Sequence, residues 1–155
     1  MARIDFHSGV ANKLSYCCRL LRKILQSPTP EIPARHVIVI GEVAFLKQLD
    51  QELWSFSASD FLPHAWSHDD FAHETPIVLS PSFKDPALQE LPHADVILNA
   101  GPELAEDMQA LAQRFPRIID IVSTQAQELE AGRERYKVYR GLGHDLHNFD
   151  QSKQA

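Results

Sequence analysis

Four residues near the C-terminus have the types and spacing to hold an anion. Arg133, Tyr136, Lys137 and Arg140 recur at i, i+3, i+4 and i+7, which puts them on one face of a helix, while Arg135, Val138 and Tyr139 point elsewhere. Like charges one turn apart cost a helix roughly 0.2–0.5 kcal/mol per pair. A bound anion would account for that cluster, and Tyr136 would offer it an apolar shelf. The plainer alternative is a solvated helix end, where cations also suit the helix dipole. Arg133 to Arg140 holds four basic residues against Glu134 alone, whereas the whole chain has net charge −6. A basic island on an acidic body suits a short anionic ligand or an acidic peptide better than a nucleic-acid duplex.

Other constellations are weaker. His64, His68 and His73 have metal-ligand types, and His64 and His68 would share a face if helical, but Pro63 and Pro76 bracket them and the segment reads as a loop. His144 and His147 are placed similarly. Ser, His and Asp all occur, yet no Gly-x-Ser-x-Gly turn frames a nucleophile. Cys17 and Cys18 fall within an amphipathic helix, where a thiol is by default buried and inert. Asp95 and Asp120 flank or interrupt strands; they could serve as acid–base groups, but a structural carboxylate is the stronger reading. No catalytic residue, metal site or cofactor is expected. Trp54, Phe56, Phe61, Leu62 and Trp66 form an aromatic cluster that serves either as core or as an exposed docking surface.

The elements that must position these residues alternate. Val37–Ile40, Ile77–Leu79, Val96–Leu98 and Ile118–Val122 are short apolar runs of the kind buried on both faces of a parallel sheet, and Ile4–Phe6 is a weaker first strand. Helices are predicted over about Val10–Leu25, Val43–Ser55 and Pro102–Arg114. A last helix begins near Ser123 or Thr124, either of which can cap it, and runs to about Arg140 before Gly141 and Gly143. The prediction is an α/β fold, one domain over residues 1–146 with a mostly parallel central sheet flanked by helices, followed by a flexible polar tail over 147–155. Such sheets often bind nucleotides, but Gly41-Glu42-Val43-Ala44 lacks the further glycines of a dinucleotide site, and no Gly-x-x-x-x-Gly-Lys-Ser/Thr sequence occurs.

A chain of 155 residues needs no covalent staples, and its two adjacent cysteines suit a reducing compartment such as the cytoplasm. No stretch approaches the ~18 apolar residues of a membrane span, and no leader pattern is visible at Met1.

Two segments together resemble the chi subunit family of bacterial DNA polymerase III. Its members carry Leu-Asp-x-x-Leu-Trp followed by Phe-x-Pro-His, which here reads Leu49-Asp50-Gln51-Glu52-Leu53-Trp54 and Phe61-Leu62-Pro63-His64. They also carry Arg-Glu-Arg-Tyr-Lys-x-Tyr-Arg, matched without a break by Arg133 to Arg140, and a preceding strand like Ile118–Val122. The resemblance implies a non-catalytic replisome adaptor, monomeric or paired with the small psi subunit, and so joined indirectly to the clamp loader. It also implies binding of the acidic, phenylalanine-ended tail of single-stranded-DNA-binding protein. Carried over by motif, the tail site comprises Arg133, Tyr136, Lys137 and Arg140, with Val122 lining an apolar pocket, and the psi-facing residues are Trp54 and Phe61. Membrane and direct sequence-specific nucleic-acid contacts are not expected, and the site of action would be the cytoplasmic replication fork. Where family members can carry a lysine one turn before Arg133, this chain has Leu129. The rival readings are a metal-dependent nucleotide-handling hydrolase using the loop histidines, and a single-stranded nucleic-acid binder working through the same helix.

Overall fold

The alternation of β-branched runs with amphipathic helices becomes a sheet with helices on both faces. The computed structural model describes residues 2–26, 35–55 and 62–153. Among these, the strands are β1 (Arg3–Val10), β2 (Val37–Ile40), β3 (His64–Trp66), β4 (Ile77–Ser80), β5 (Val96–Asn99), β6 (Arg117–Ser123) and β7 (Asp145–Asp150). They lie in the order β3-β4-β2-β5-β6-β1-β7, and every pairing is parallel. The helices are α1 (Lys13–Leu25), α2 (Val43–Ser55), α3 (Met108–Arg114) and α4 (Ala126–Gly141). Among the described residues no helix is long and apolar enough to cross a membrane.

Strand alternation divides the core in two. Val37, Val39, Val96, Leu98, Ile119 and Ile121 face α1 and α2, meeting Cys17, Cys18, Leu21 and Leu49. Ile4, Phe6, Ile38, Ile97, Ile118 and Val122 face the other way, toward Met108 on α3 and Tyr139 on α4. Burial raises both thiol pKa values to about 12, so Cys17 and Cys18 act as small apolar side chains.

The main departures from the sequence prediction have local causes. β1 runs to Val10 because β7 pairs with it as far as Ser8 and β6 pairs with it again at Val10, which holds the polar His7 and Ser8 in the sheet. α1 starts at Lys13, where the Asn12 side chain accepts from Ser15 N–H. α3 starts at Met108 behind its cap Asp107, and the preceding Glu103 instead bonds Ser82 and Phe83. Because Ser123 pairs with Val10, β6 takes in Ser123, one of the two expected caps; Gln125 becomes the N-cap of α4, and Ser123 Oγ accepts from its N–H. His64–Trp66, read as loop, is the edge strand β3. The expected boundary after residue 146 falls inside β7, so residues 147–150 belong to the sheet.

Candidate functional site

The sequence Arg133–Arg140 forms the second half of α4, and its residues separate by direction. Arg135 and Tyr139 turn inward onto Asp120 at the centre of β6. Arg135 donates to both carboxylate oxygens, at 2.8 and 2.7 Å, and Tyr139 Oη–H donates to one of them at 2.5 Å. A further guanidinium N–H reaches the Pro102 carbonyl at 3.1 Å. Burial alone would lower the Arg135 pKa, but the hydrogen bond and charge of Asp120 outweigh it and raise it. Burial and the adjacent Asp120 charge together hold the Tyr139 hydroxyl neutral well above pH 10. This buried carboxylate is structural: it fastens α4 to the sheet.

Fastened there, α4 presses close to β6. A Cβ at Gly132 would lie 2.7 Å from Val122 Cγ2, so only glycine allows this approach. Beside that contact a cavity of about 420 Å³ opens between α4, β1 and β7. Phe6, Val122, Leu129 and Tyr136 supply its apolar surface, and Arg133 stands in its lining. Tyr136 sets its ring edge-on to Phe6, with centroids 5.0 Å apart. The opposite wall comes from Asn148, Asp150 and Ser152, with Gly9 at the turn of β1. Gly9 adopts φ +66° where the β1–β6 register slips between His7 and Val10, a left-handed conformation that favours glycine.

The structure therefore brings Arg133, Tyr136 and Val122 to one cavity. Lys137 and Arg140 are exposed and lie outside its lining, and Lys137 reaches Glu134 at 3.4 Å. Sequence reasoning missed Phe6, Leu129 as an apolar wall, and the whole β7 side. The signal for β7 was a faint one: Leu146 is the lone aliphatic residue in Asp145–Asp150.

The aromatic region occupies the opposite edge of the sheet. Trp54, at the end of α2, is 58% exposed and lies against the His64 ring, with centroids 4.4 Å apart. Asp50 holds this corner, 2.7 Å from His64 Nε2, and it accepts from Trp66 Nε1 at 3.4 Å. Leu62 is core, Trp66 is half-buried, and Phe56 and Phe61 lie outside the described residues. β3 and β1 are five strand spacings apart, roughly 24 Å.

The loop histidines do not converge. His64 is buried and bonded to Asp50 and the Leu62 carbonyl, whereas His68 and His73 are exposed beside Asp69 and Glu74. Among the described residues no three His, Cys, Asp or Glu side chains are grouped to hold a metal. At the carboxyl ends of the strands, where such sheets bind nucleotides, Lys13 lies across the crevice. Its ammonium donates to the Ala100 carbonyl at 2.7 Å and to Glu128 at 3.1 Å, and it sits 4.6 Å from the Phe45 ring centroid.

Comparison with known proteins agrees over nearly the whole chain. The family described as DNA polymerase III chi subunit, HolC, matches residues 1–147. A protein named DNA polymerase III subunit chi from Pseudomonas aeruginosa is 26% identical over 152 residues, 94% of each chain. One of the same name from Haemophilus influenzae is 29% identical over 99 residues, 64% of this chain and 63% of that protein.

Proposed function

We propose, on the premise that the chain belongs to the DNA polymerase III chi subunit family and is an accessory rather than a catalytic subunit, that it is a two-sided adaptor. One side takes the acidic C-terminal tail of single-stranded-DNA-binding protein in the α4 cavity. The other, around Trp54 and Phe61, meets the psi subunit and through it the clamp loader.

The observation that carries this reading is the cavity itself. A peptide ending in an aromatic side chain and a carboxylate needs an apolar recess beside a cation, and Phe6, Val122, Leu129 and Tyr136 beside Arg133 supply both. Lys137 and Arg140 continue the same helix face, where they would meet acidic residues upstream of the peptide terminus. Trp54 suits a second partner because it is exposed yet braced by His64, so its ring is held ready for contact.

Calorimetric titration with an acidic peptide ending in phenylalanine tests the tail site. Binding should weaken as salt rises, and Arg133→Ala should reduce affinity about tenfold, the equivalent of ~1.4 kcal/mol. Equal affinities for wild type and variant would overturn the assignment. Co-purification with psi, compared between wild type and Trp54→Ala, tests the other side independently.

A further inference from the structure

The sheet edge that carries Trp54 has a charge of its own. Between Lys47 and Lys84 the sequence holds Asp50, Glu52, Asp60, Asp69, Asp70 and Glu74 and no lysine or arginine, so this stretch alone equals the net charge of −6. Asp69, Asp70 and Glu74 stand exposed on the connection from β3 to β4. Among the described residues none of these three pairs with a lysine or arginine; His68 lies 3.9 Å from Asp69, and His73 lies 3.5 Å from Glu74. The cations at the two ends do not change this. Lys84 is turned to Glu106 at 2.9 Å, and Lys47 lies nearly two turns before Trp54 on α2, roughly 10 Å away.

The same connection holds Phe71 out to solvent. Phe71 is 71% exposed, more than any other large apolar residue among those described. Its backbone is fixed. The Phe71 carbonyl accepts from Glu74 N–H at 3.1 Å and from Thr75 Oγ1 at 2.7 Å, and Ala72 N–H donates to the Asp69 carbonyl at 3.1 Å. A single exposed ring needs no partner, but one held this firmly loses little freedom when it meets one. Trp54 packs on His64 where β3 begins, and Asp69 accepts from Trp66 N–H at 2.8 Å where it ends. The two exposed rings therefore bracket the edge strand, with the carboxylates beside Phe71.

The edge is closed to an added strand. Ser67 N–H donates to the Leu79 carbonyl of β4, so the Trp66 N–H before it points to the open side, where Asp69 takes it. Contact must come through side chains. Phosphate groups and acidic peptides are repelled here, which sets this edge apart from the α4 cavity. Among the described residues no three ligands are grouped for a metal ion. A small polyamine would meet the carboxylates and leave both rings idle. A protein segment with cations beside apolar side chains uses both.

We infer that the β3 edge docks a protein segment that is cationic and apolar together, and that Phe71 and Asp70 are contact residues there. This edge is the one read above as psi-facing, and the proposal rests on that reading for the partner's identity alone.

The probe is a labelled helical peptide of lysine and leucine, about 14 residues long, with its glutamate–leucine counterpart as control. Anisotropy titration with the full chain at about pH 8, where an ordinary imidazole is uncharged, reads the binding. Saturable binding of the lysine peptide is expected at about 50 mM salt, weakening severalfold by ~200 mM, with none of the glutamate peptide. Phe71→Ala should weaken it at least fivefold, and Asp70→Lys about fivefold. Glu130→Lys makes the same charge change on the exposed surface of α4 and should leave the affinity unchanged. Both Phe71 and Asp70 are exposed, so melting temperatures should match wild type. Unchanged affinity in Phe71→Ala overturns the inference, as does equal weakening by Glu130→Lys or equal binding of the glutamate peptide. Retention of psi, compared between wild type and Phe71→Ala, forms a separate arm. Loss of psi in the variant supports the inference. Failure of wild type to retain psi while the lysine peptide binds as expected would remove the psi reading and leave the inference standing.

Discussion

The two faces of α4 are written in the same eight residues, and the protein treats them differently. Inward, Arg135 and Tyr139 are buried against Asp120, whose fully enclosed carboxylate pairs with the guanidinium and accepts from the neutral hydroxyl. Outward, Arg133, Lys137 and Arg140 are exposed, and Tyr136 covers only one side of an open cavity. An arginine buried with its carboxylate holds a helix in place. An arginine standing at the mouth of an apolar recess can meet a charge that another molecule brings. The motif thus encodes both the clamp and the surface that the clamp presents.

The largest effect should come from breaking the clamp. Asp120→Asn leaves the Arg135 guanidinium, whose side chain is 4% exposed, without its counter-charge. Removing one partner of a buried pair costs about 3–5 kcal/mol, a large part of the ~5–15 kcal/mol that holds a domain of this size. Urea denaturation should place this variant far below wild type, and Arg133→Ala within ~0.5 kcal/mol of it. Equal midpoints for the two variants would erase the distinction between the faces.

Tyr139→Phe should cost about 1.5–3 kcal/mol at neutral pH, the loss of a hydrogen bond to a charged carboxylate. It also carries a signature in pH. Unfolded tyrosine ionises near pH ~10, while burial and Asp120 keep the folded Tyr139 hydroxyl protonated well above that. Above pH 10 the unfolded state releases a proton that the native state retains, so native stability falls as pH rises. Melts between pH 9 and 11 should therefore show a steeper loss for wild type than for Tyr139→Phe, with a remaining slope from Cys17, Cys18 and Tyr16, whose pKa values burial also raises.

Gly132 connects the two faces, because it sets how deeply α4 lies on Val122. Alanine is the better helix former by roughly 0.5–1 kcal/mol, but here its Cβ would sit 2.7 Å from a valine methyl. The overlap should win, for a net cost of about 1–2 kcal/mol, and tail-peptide affinity should fall because Val122 also lines the cavity. Pairing Gly132→Ala with Val122→Ala should recover part of the stability without restoring affinity. Full recovery of both would mean that the depth of α4 does not shape the cavity.

Much of this was legible in the sequence, for identifiable reasons. Helical spacing separated Arg133, Tyr136, Lys137 and Arg140 from Arg135 and Tyr139, since direction on a helix follows from 3.6 residues per turn. The β-branched runs located four of the central strands because nothing but burial explains Val37–Ile40 or Val96–Leu98. β7 was read as tail because Asp145–Asp150 looks solvated; its place in the sheet comes from parallel pairing to β1, a non-local contact with no local pattern. With β7 missing, the far wall of the cavity could not be foreseen. Asp120 showed only as a polar break in an apolar strand, and its two partners lie 15 and 19 residues further on.

The finest distinction concerns Leu129, one turn ahead of Arg133, where it replaces a possible cation with apolar surface. Glu128 beside it is turned away, engaged by Lys13 and 3.4 Å from Ser123 N–H. The cavity is therefore more apolar, and less cationic, than its motif alone implies. Leu129→Lys should add one exposed charge contact, up to about 1 kcal/mol, or roughly a fivefold gain in affinity at low salt. Because screening removes such a gain, affinity should fall more steeply with salt than in wild type. Asp150 shares the cavity lining and competes for the new ammonium. Calorimetry at two salt concentrations separates the outcomes: a steeper salt slope places the lysine on the peptide. Unchanged affinity with a raised melting temperature places it on Asp150, and the outward face would then read its ligand through Arg133 and apolar contact alone.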